Sequence, residues 1–180
     1  MSDFGNSTEN IILIGFMGTG KTTVGKRVAQ SLNFEFVDTD AFIVEQEGRS
    51  IQEIFEDVGE AEFRKIETAV LEKITQVKNQ IISTGGGIVT QEVNLPILKN
   101  GGHVIWLKAS PEVIYERVRR NFDRPLLKTE NPLKTIQDLL EARQDSYAQC
   151  ADLTISTDDL SLEETIYGVT ETARFWLNDQ

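Results

Sequence analysis

Gly15-Phe16-Met17-Gly18-Thr19-Gly20-Lys21-Thr22 fits the pattern G-x-x-x-x-G-K-[ST]. It stands between an apolar run, Asn10 to Ile14, and a segment in which Val24, Val28 and Leu32 recur every fourth residue. A strand leading through a glycine-rich turn into a helix leaves few folds open, because the turn must wrap something. Glycines let the backbone curl so that its N–H groups point inward at phosphate oxygens. Lys21 can then reach the β- and γ-phosphates, and the Thr22 hydroxyl can ligate Mg²⁺. A helix over Lys21 to Leu32 adds the positive end of its dipole to the same anion. An accidental glycine-rich turn is the competing reading. Chance yields the pattern in roughly 1% of chains of this length, and without the flanking strand and helix. The chain is therefore read as a nucleotide binder.

The rest of the sequence repeats the alternation. Phe34 to Val37, Gln80 to Ser83, His103 to Leu107 and Asp152 to Ile155 are short β-rich runs. Between Ala61 and Lys78, Phe63, Ile66, Val70, Ile74 and Val77 recur at steps of three or four, which predicts an amphipathic helix. Ser110-Pro111 supplies an N-cap and a proline at the first helical position. Ile136, Leu139, Leu140, Arg143 and Tyr147 outline a further helix, and Ser161 with Glu164 forms a capping box that opens the last one. Strands alternating with helices call for a parallel sheet covered on both faces, an α/β three-layer α/β/α sandwich with five strands. The 180 residues suit a single domain over 10–180, after a tail over 1–9. Between Asn121 and Pro132, Asp123, Arg124, Pro125 and Asn131 crowd into a long loop of the kind that usually carries function.

Charge narrows the partners. Twenty-nine acidic residues against eighteen basic ones give a net charge of −11, which argues against nucleic acid and anionic membranes as partners. A small anion is not excluded. Between Arg117 and Lys134, six basic residues face only Asp123 and Glu130. No apolar run approaches the ~20 residues of a membrane span. The polar, acidic start lacks the features of a signal peptide, so a cytoplasmic location is expected. The single cysteine, Cys150, has no internal disulfide partner and reads as a buried helix-end residue. His103 reads as structural, Trp106 and Trp176 as core, and Glu53, Glu56, Asp57 and Glu60 as a solvated face. Phe42 and Phe55 stay open between helix flank and pocket wall.

Three further segments carry chemistry. The third strand ends in Ser83-Thr84-Gly85-Gly86-Gly87, either a tight turn or, beside a phosphate loop, a place where backbone amides meet a ligand. Asp38-Thr39-Asp40 follows the second strand at the sheet end where α/β folds bind ligands. In an extended segment both carboxylates would project to one side, one toward a metal's water and one toward an acceptor hydroxyl. Alternatively, Asp40 simply caps a helix over Ala41 to Gly48. Arg64 flanks the apolar row of its helix, the usual place of a snorkelling surface arginine.

Taken in order, the phosphate loop, Asp38-Thr39-Asp40, Phe63-Arg64-x-x-Glu67, Gly85-Gly86-Gly87 and Arg124-Pro125-Leu126-Leu127 resemble the shikimate kinases, from about Ile11 to Leu177. The resemblance implies a P-loop kinase fold with strand order 2-3-1-4-5, and transfer of the γ-phosphate of ATP to the 3-hydroxyl of shikimate with Mg²⁺. By motif, Gly15, Gly18, Thr19, Gly20, Lys21, Thr22 and Thr23 match the ATP-binding loop. Arg119 or Arg120 matches the adenine-flanking arginine, and Arg124 the lid arginine that reaches the phosphates. Asp40 matches the proposed base, and Arg64, Gly85, Gly86, Gly87 and Arg143 match substrate-binding positions. Thr22, Asp38 and Ser83 match the metal site. An acceptor-binding insert over about 39–67, a lid over about 117–134 and a monomer complete the expectation. The competing functions are a gluconate or nucleoside monophosphate kinase of the same fold, and a nucleotide-binding regulatory module without turnover.

Overall fold

The computed structural model describes residues 9–119 and 129–178. Five parallel strands form one sheet: β1 (Ile11–Ile14), β2 (Glu35–Asp38), β3 (Gln80–Ser83), β4 (His103–Lys108) and β5 (Leu153–Ser156). Their order is β2-β3-β1-β4-β5, as the resemblance implied. All four side chains of β1 are buried because both faces of a central parallel strand are covered, which is why Ile11 to Ile14 reads as an unbroken apolar run.

Among the described residues, seven helices and one 3₁₀ turn flank the strands: α1 (Lys21–Leu32), α2 (Thr39–Glu47), α3 (Ile51–Thr75), the turn Ile88–Thr90, α4 (Asn94–Gly101), α5 (Pro111–Val118), α6 (Pro132–Cys150) and α7 (Leu162–Asn178). On one face of the sheet, Ile12, Ile14, Ile82, Val104 and Trp106 pack with Phe63, Val70 and Leu71 of α3, Leu98 of α4 and Tyr147 of α6. On the other, Ile11, Leu13, Ile81, Ile105 and Leu107 meet Val24 and Val28 of α1 and Val169 and Ala173 of α7. The expected three layers are present.

Caps set the helix starts. Ser110 Oγ accepts from Val113 N at 3.4 Å, with Pro111 first in α5. Ser161 and Glu164 close their capping box with bonds of 2.7 and 3.2 Å. Two expectations need correction. β2 runs on to Asp38, and the carboxylate of Asp38, not Asp40, caps α2 by accepting from Asp40 N at 3.1 Å and Ala41 N at 3.3 Å. Asp40 therefore lies in the first turn of a helix rather than in an extended segment, and the two carboxylates are set by different geometry. The helix expected over Ala61 to Lys78 begins ten residues earlier, at Ile51, and ends at Thr75. Ser50 and Glu53 form its capping box, and Gly59, at φ 79° and ψ 172°, breaks it into two pieces. That conformation is open essentially to glycine alone. α4 has no counterpart among the expected elements, being eight residues long with Pro96 in its first turn.

The bland assignments hold. His103 stacks on Trp176 with ring centroids 4.7 Å apart. Cys150 is buried, and burial pushes its thiol up to about 11. Phe42 and Phe55 pack against the core, Phe55 with its ring 4.5 Å from that of Phe63.

At the end of the sheet away from the phosphate loop, buried Asn10 ties four elements together. Its Nδ2 donates to Val77 O at 2.8 Å and Gly101 O at 3.0 Å, its Oδ1 accepts from Gln80 N at 3.0 Å, and its carbonyl accepts from His103 N at 2.9 Å. Asn10→Ala strands two carbonyls and one N–H in the interior. Urea denaturation should show a loss of about 2–4 kcal/mol, with substrate KM values unchanged because the ligand end of the sheet is remote.

Candidate functional site

At the C-terminal ends of β1, β2 and β3 three loops converge, where open α/β sheets bind ligands. The first is the phosphate loop. Gly15 leaves β1 at φ 143°, and a Cβ there would fall 2.3 Å from Leu107 O of β4. Only glycine fits this close approach. Thr19 Oγ1 donates back to Phe16 O at 2.8 Å, and Lys21 Nζ donates to Gly15 O and Phe16 O at 2.9 Å each, so the loop is braced from within. Gly20 opens α1 in the left-handed conformation with no side-chain cap, and the first turn of α1 has no acidic residue. The first N–H groups of the helix are thus left to an anion, as phosphate binding requires. Thr23 is exposed on that first turn.

Thr22 faces the ends of β2 and β3. Its Oγ1 donates to Asp38 Oδ2 at 2.9 Å and lies 3.4 Å from Ser83 Oγ. Register pairing places Asp38 and Ser83 side by side, so the three oxygens expected at the metal do meet. A carboxylate with two hydroxyls is a hard-oxygen set that suits Mg²⁺. Among the described residues no cluster of three or more His, Cys, Asp or Glu could hold an ion. Mg²⁺ would therefore take its remaining ligands from phosphate and water, its usual habit beside a nucleotide.

The triple glycine after β3 is the second loop. Gly85 N donates to the buried Thr39 Oγ1 at 2.9 Å. A Cβ on Gly85 would sit 2.7 Å from Asp40 Oδ1 and 2.8 Å from Glu67 Oε1. On Gly86 it would sit 3.2 Å from Met17 N of the phosphate loop, and on Gly87 2.4 Å from Arg64 Nη1. Each glycine admits a different partner. Arg64 pairs with Glu67 at 2.8 Å and with Glu60 at 3.1 Å, its side chain only 12% exposed. It lies against the triple glycine and does not snorkel outward. Its Nε is buried without a partner among the described residues. From α6, Arg143 reaches the same turn, its Nη1 donating to Gly86 O at 3.2 Å and its guanidinium lying 5.4 Å from the Phe16 ring centre. Asp40, Arg64, Arg143 and all three glycines are brought together beside Lys21.

Burial sets the protonation tendencies. Desolvation raises the Glu67 carboxyl above its ordinary value, and Asp40 adds to this, while Arg64 and Arg143 oppose it. For Arg64, burial favours the neutral form, but the Glu67 and Glu60 carboxylates more than offset it, and its pKa is raised. Burial pushes the Tyr147 hydroxyl up against the pull of Arg143, which keeps it a donor at any working pH.

A further turn, outside these three, follows β5. Arg117 of α5 donates through Nη2 to Thr157 O at 2.7 Å, and through Nη1 to Thr157 Oγ1 at 2.9 Å and Gly18 O at 3.3 Å. It joins the phosphate loop to the turn after β5. Arg119 instead pairs with Glu116 at 2.8 Å on an exposed flank and is not brought to the other site residues. Arg120 and Arg124 lie outside the described residues.

Four residues here are named in the sequence without a site role of their own: Thr39, Glu67, Arg117 and Tyr147. Glu67 stands three residues after Arg64, the spacing of facing helical neighbours, and Tyr147 stands four after Arg143. Those spacings were the available signals. Thr39 and Arg117 carry none, because their partners are distant in sequence.

The chain is similar to known proteins along most of its length. A family model described as "Shikimate kinase" matches residues 17–174. The shikimate kinase of Caldanaerobacter subterraneus subsp. tengcongensis is 49% identical over 156 residues, covering 87% of this chain and 91% of that one. That of Geobacter sulfurreducens is 45% identical over 166 residues, 92% of this chain and 90% of the relative. Among solved structures, a shikimate kinase from Acinetobacter baumannii in complex with shikimate superposes with a TM-score of 0.88 at 39% identity, covering 93% of both chains. With the family's model spanning most of its length and relatives near half identical over the same stretch, the chain belongs to the shikimate kinase family.

Proposed function

We propose that this chain transfers the γ-phosphate of ATP to the 3-hydroxyl of shikimate, giving shikimate 3-phosphate and ADP for aromatic amino-acid biosynthesis, with the residues above in defined roles. The observation that carries the reading is the pair of arginines, Arg64 and Arg143, converging on one turn beside the phosphate loop. Shikimate is a carboxylate, and planar guanidinium groups match a carboxylate in charge and shape. The hydroxyl of a sugar acid held there faces Asp40 on one side and the phosphate loop on the other.

Phosphoryl transfer through a loose transition state needs positioning and positive charge more than covalent chemistry. The loop N–H groups and Lys21 hold the phosphates. Asp40 accepts the hydrogen bond of the attacking hydroxyl, and its proton as the new P–O bond forms and the bond to the β-phosphate oxygen breaks. Arg124, on a lid over about 117–134, is assigned to the departing phosphate charge. Arg117 rather than Arg119 is positioned against the turn after β5, which supports a role for it near the base of ATP. Thr22, Asp38 and Ser83 would hold Mg²⁺, whose contribution when bound is to neutralise charge on the β- and γ-phosphates. Residues of about 39–67 form the acceptor-binding insert. The same reading includes a cytoplasmic location, where ATP is available, and a monomer, since the assigned residues come from one chain. No helix among the described residues is long and apolar enough to cross a membrane.

An ADP-release assay offering shikimate, gluconate and nucleoside monophosphates in parallel should show turnover with shikimate alone; turnover only with another acceptor would overturn the reading. Lys21→Ala should lower kcat by about 10²–10³-fold, as loss of a preorganised donor to transition-state charge does. Gly87→Ala drives a methyl into the space of the Arg64 guanidinium. It should raise the shikimate KM by about tenfold or more, the expected consequence of displacing a charged partner, with the ATP KM within twofold in steady-state kinetics.

A further inference from the structure

Gly86 offers one carbonyl oxygen to two donors on α6. Arg143 Nη1 donates to it at 3.2 Å, and the Tyr147 hydroxyl donates to it from one helical turn further on. Tyr147 is fully buried, its ring stacked on Trp106 with centroids 5.4 Å apart. Its hydroxyl is therefore aimed by packing, not by choice among solvent partners. Gly86 in turn lies against the phosphate loop, with no room for more than a tight Cβ contact to Met17 N.

We propose that Tyr147 is a positioning residue for acceptor binding: by keeping the Gly86 carbonyl satisfied, it frees the Arg143 guanidinium for the acceptor's carboxylate. This rests on the reading that a carboxylate acceptor meets Arg143. Gly86 is half-buried, and its carbonyl takes its bonds from the two α6 donors, so losing either leaves it less well satisfied. Arg143 has five N–H groups in a rigid plane, and a bidentate grip on a carboxylate fixes the direction of the whole plane. If Arg143 alone had to serve Gly86, turning toward the carboxylate would strand the carbonyl. The two acceptors would then compete for one group. Tyr147 removes the competition because its one hydroxyl proton goes to Gly86, while its oxygen accepts from Arg143 and helps to aim it.

Tyr147→Phe tests this, since it keeps the ring and its stack on Trp106 and removes only the donor. The shikimate Kd by calorimetry and the shikimate KM should both rise by about five- to tenfold, while the ATP KM stays within twofold. In an Arg143→Ala background, adding Tyr147→Phe should change the shikimate Kd by less than about twofold, because the competition no longer exists. A shikimate Kd within twofold of wild type in Tyr147→Phe, with a lowered melting temperature alone, would assign Tyr147 to stability and overturn the proposal. Equal losses in the two backgrounds would overturn it as well. Wild-type turnover of shikimate separates the two levels: without it the functional reading itself fails, and with it a silent Tyr147→Phe refutes this inference alone.

Discussion

Three successive residues without a Cβ join the acceptor side of this molecule to its phosphate side. β3 lies between β2 and β1 in the sheet, so the turn that leaves it is flanked by the turns that leave its neighbours. Gly85 fits between Asp40 and Glu67, Gly86 against Met17, and Gly87 against the Arg64 guanidinium. A methyl at Gly85 or Gly87 would push one of these groups by a distance approaching the tolerance of phosphoryl transfer, in which misplacement of about 1 Å is costly, and one at Gly86 would press on the phosphate loop by a few tenths of an ångström. The triple glycine is thus a consequence of strand order. Parallel strands deliver their C-terminal loops to one place, and the central loop of the three must be thin.

The electrostatics follow the same division. A net charge of −11 suits a solvated surface, and the ion pairs at its exposed helix flanks, such as Arg49 with Asp57 at 2.6 Å, contribute little. Inside the site, the cations are fixed by structure instead of by abundance. Lys21 is buried under its own loop, Arg143 lies over Phe16, and Arg117 spans two loops. A whole-chain charge is therefore a poor guide to what a pocket of this size attracts.

Much of this could be read from the sequence, for reasons that differ between elements. β1 and α1 were legible because the phosphate loop demands both, and α5 and α7 because their caps are written in adjacent residues. α3 was legible only in its second half: the first half has its apolar residues, Ile51, Ile54 and Phe55, in a different phase across Gly59. α4 is too short for period to show. Asp38 and Asp40 stand out by motif, yet their division of labour depends on where the helix starts, and a start at Thr39 instead of Ala41, two residues earlier, puts the cap on Asp38. Arg64 looked like a surface residue because exposure is decided by what packs above a helix flank, here the triple glycine, which no local pattern foretells. Tyr147 reads as one more position of the helix stripe, since a buried ring and a buried donor look alike there.

Arg64 shows how a site can be preorganised without being blocked. Its guanidinium is already paired twice, which at first sight leaves little for a substrate. The two partners differ, however. Glu67 is 1% exposed, so removing its counter-charge would leave a buried carboxylate alone, at a cost of several kcal/mol (about 3–5). Glu60 is 68% exposed and can return to water with little loss. Under the proposed assignment of Arg64 to the acceptor, an arriving carboxylate would compete with Glu60 and leave Glu67 in place. The buried pair fixes the plane of the guanidinium, and the exposed pair holds its outer face until the acceptor comes. Because Asp40 lies across Gly85 from Glu67, the group that orients the arginine also stands behind the group assigned to the hydroxyl. On the proposed roles, acceptor carboxylate and acceptor hydroxyl would be located by one rigid cluster, which is the condition for placing a hydroxyl in line with a phosphate.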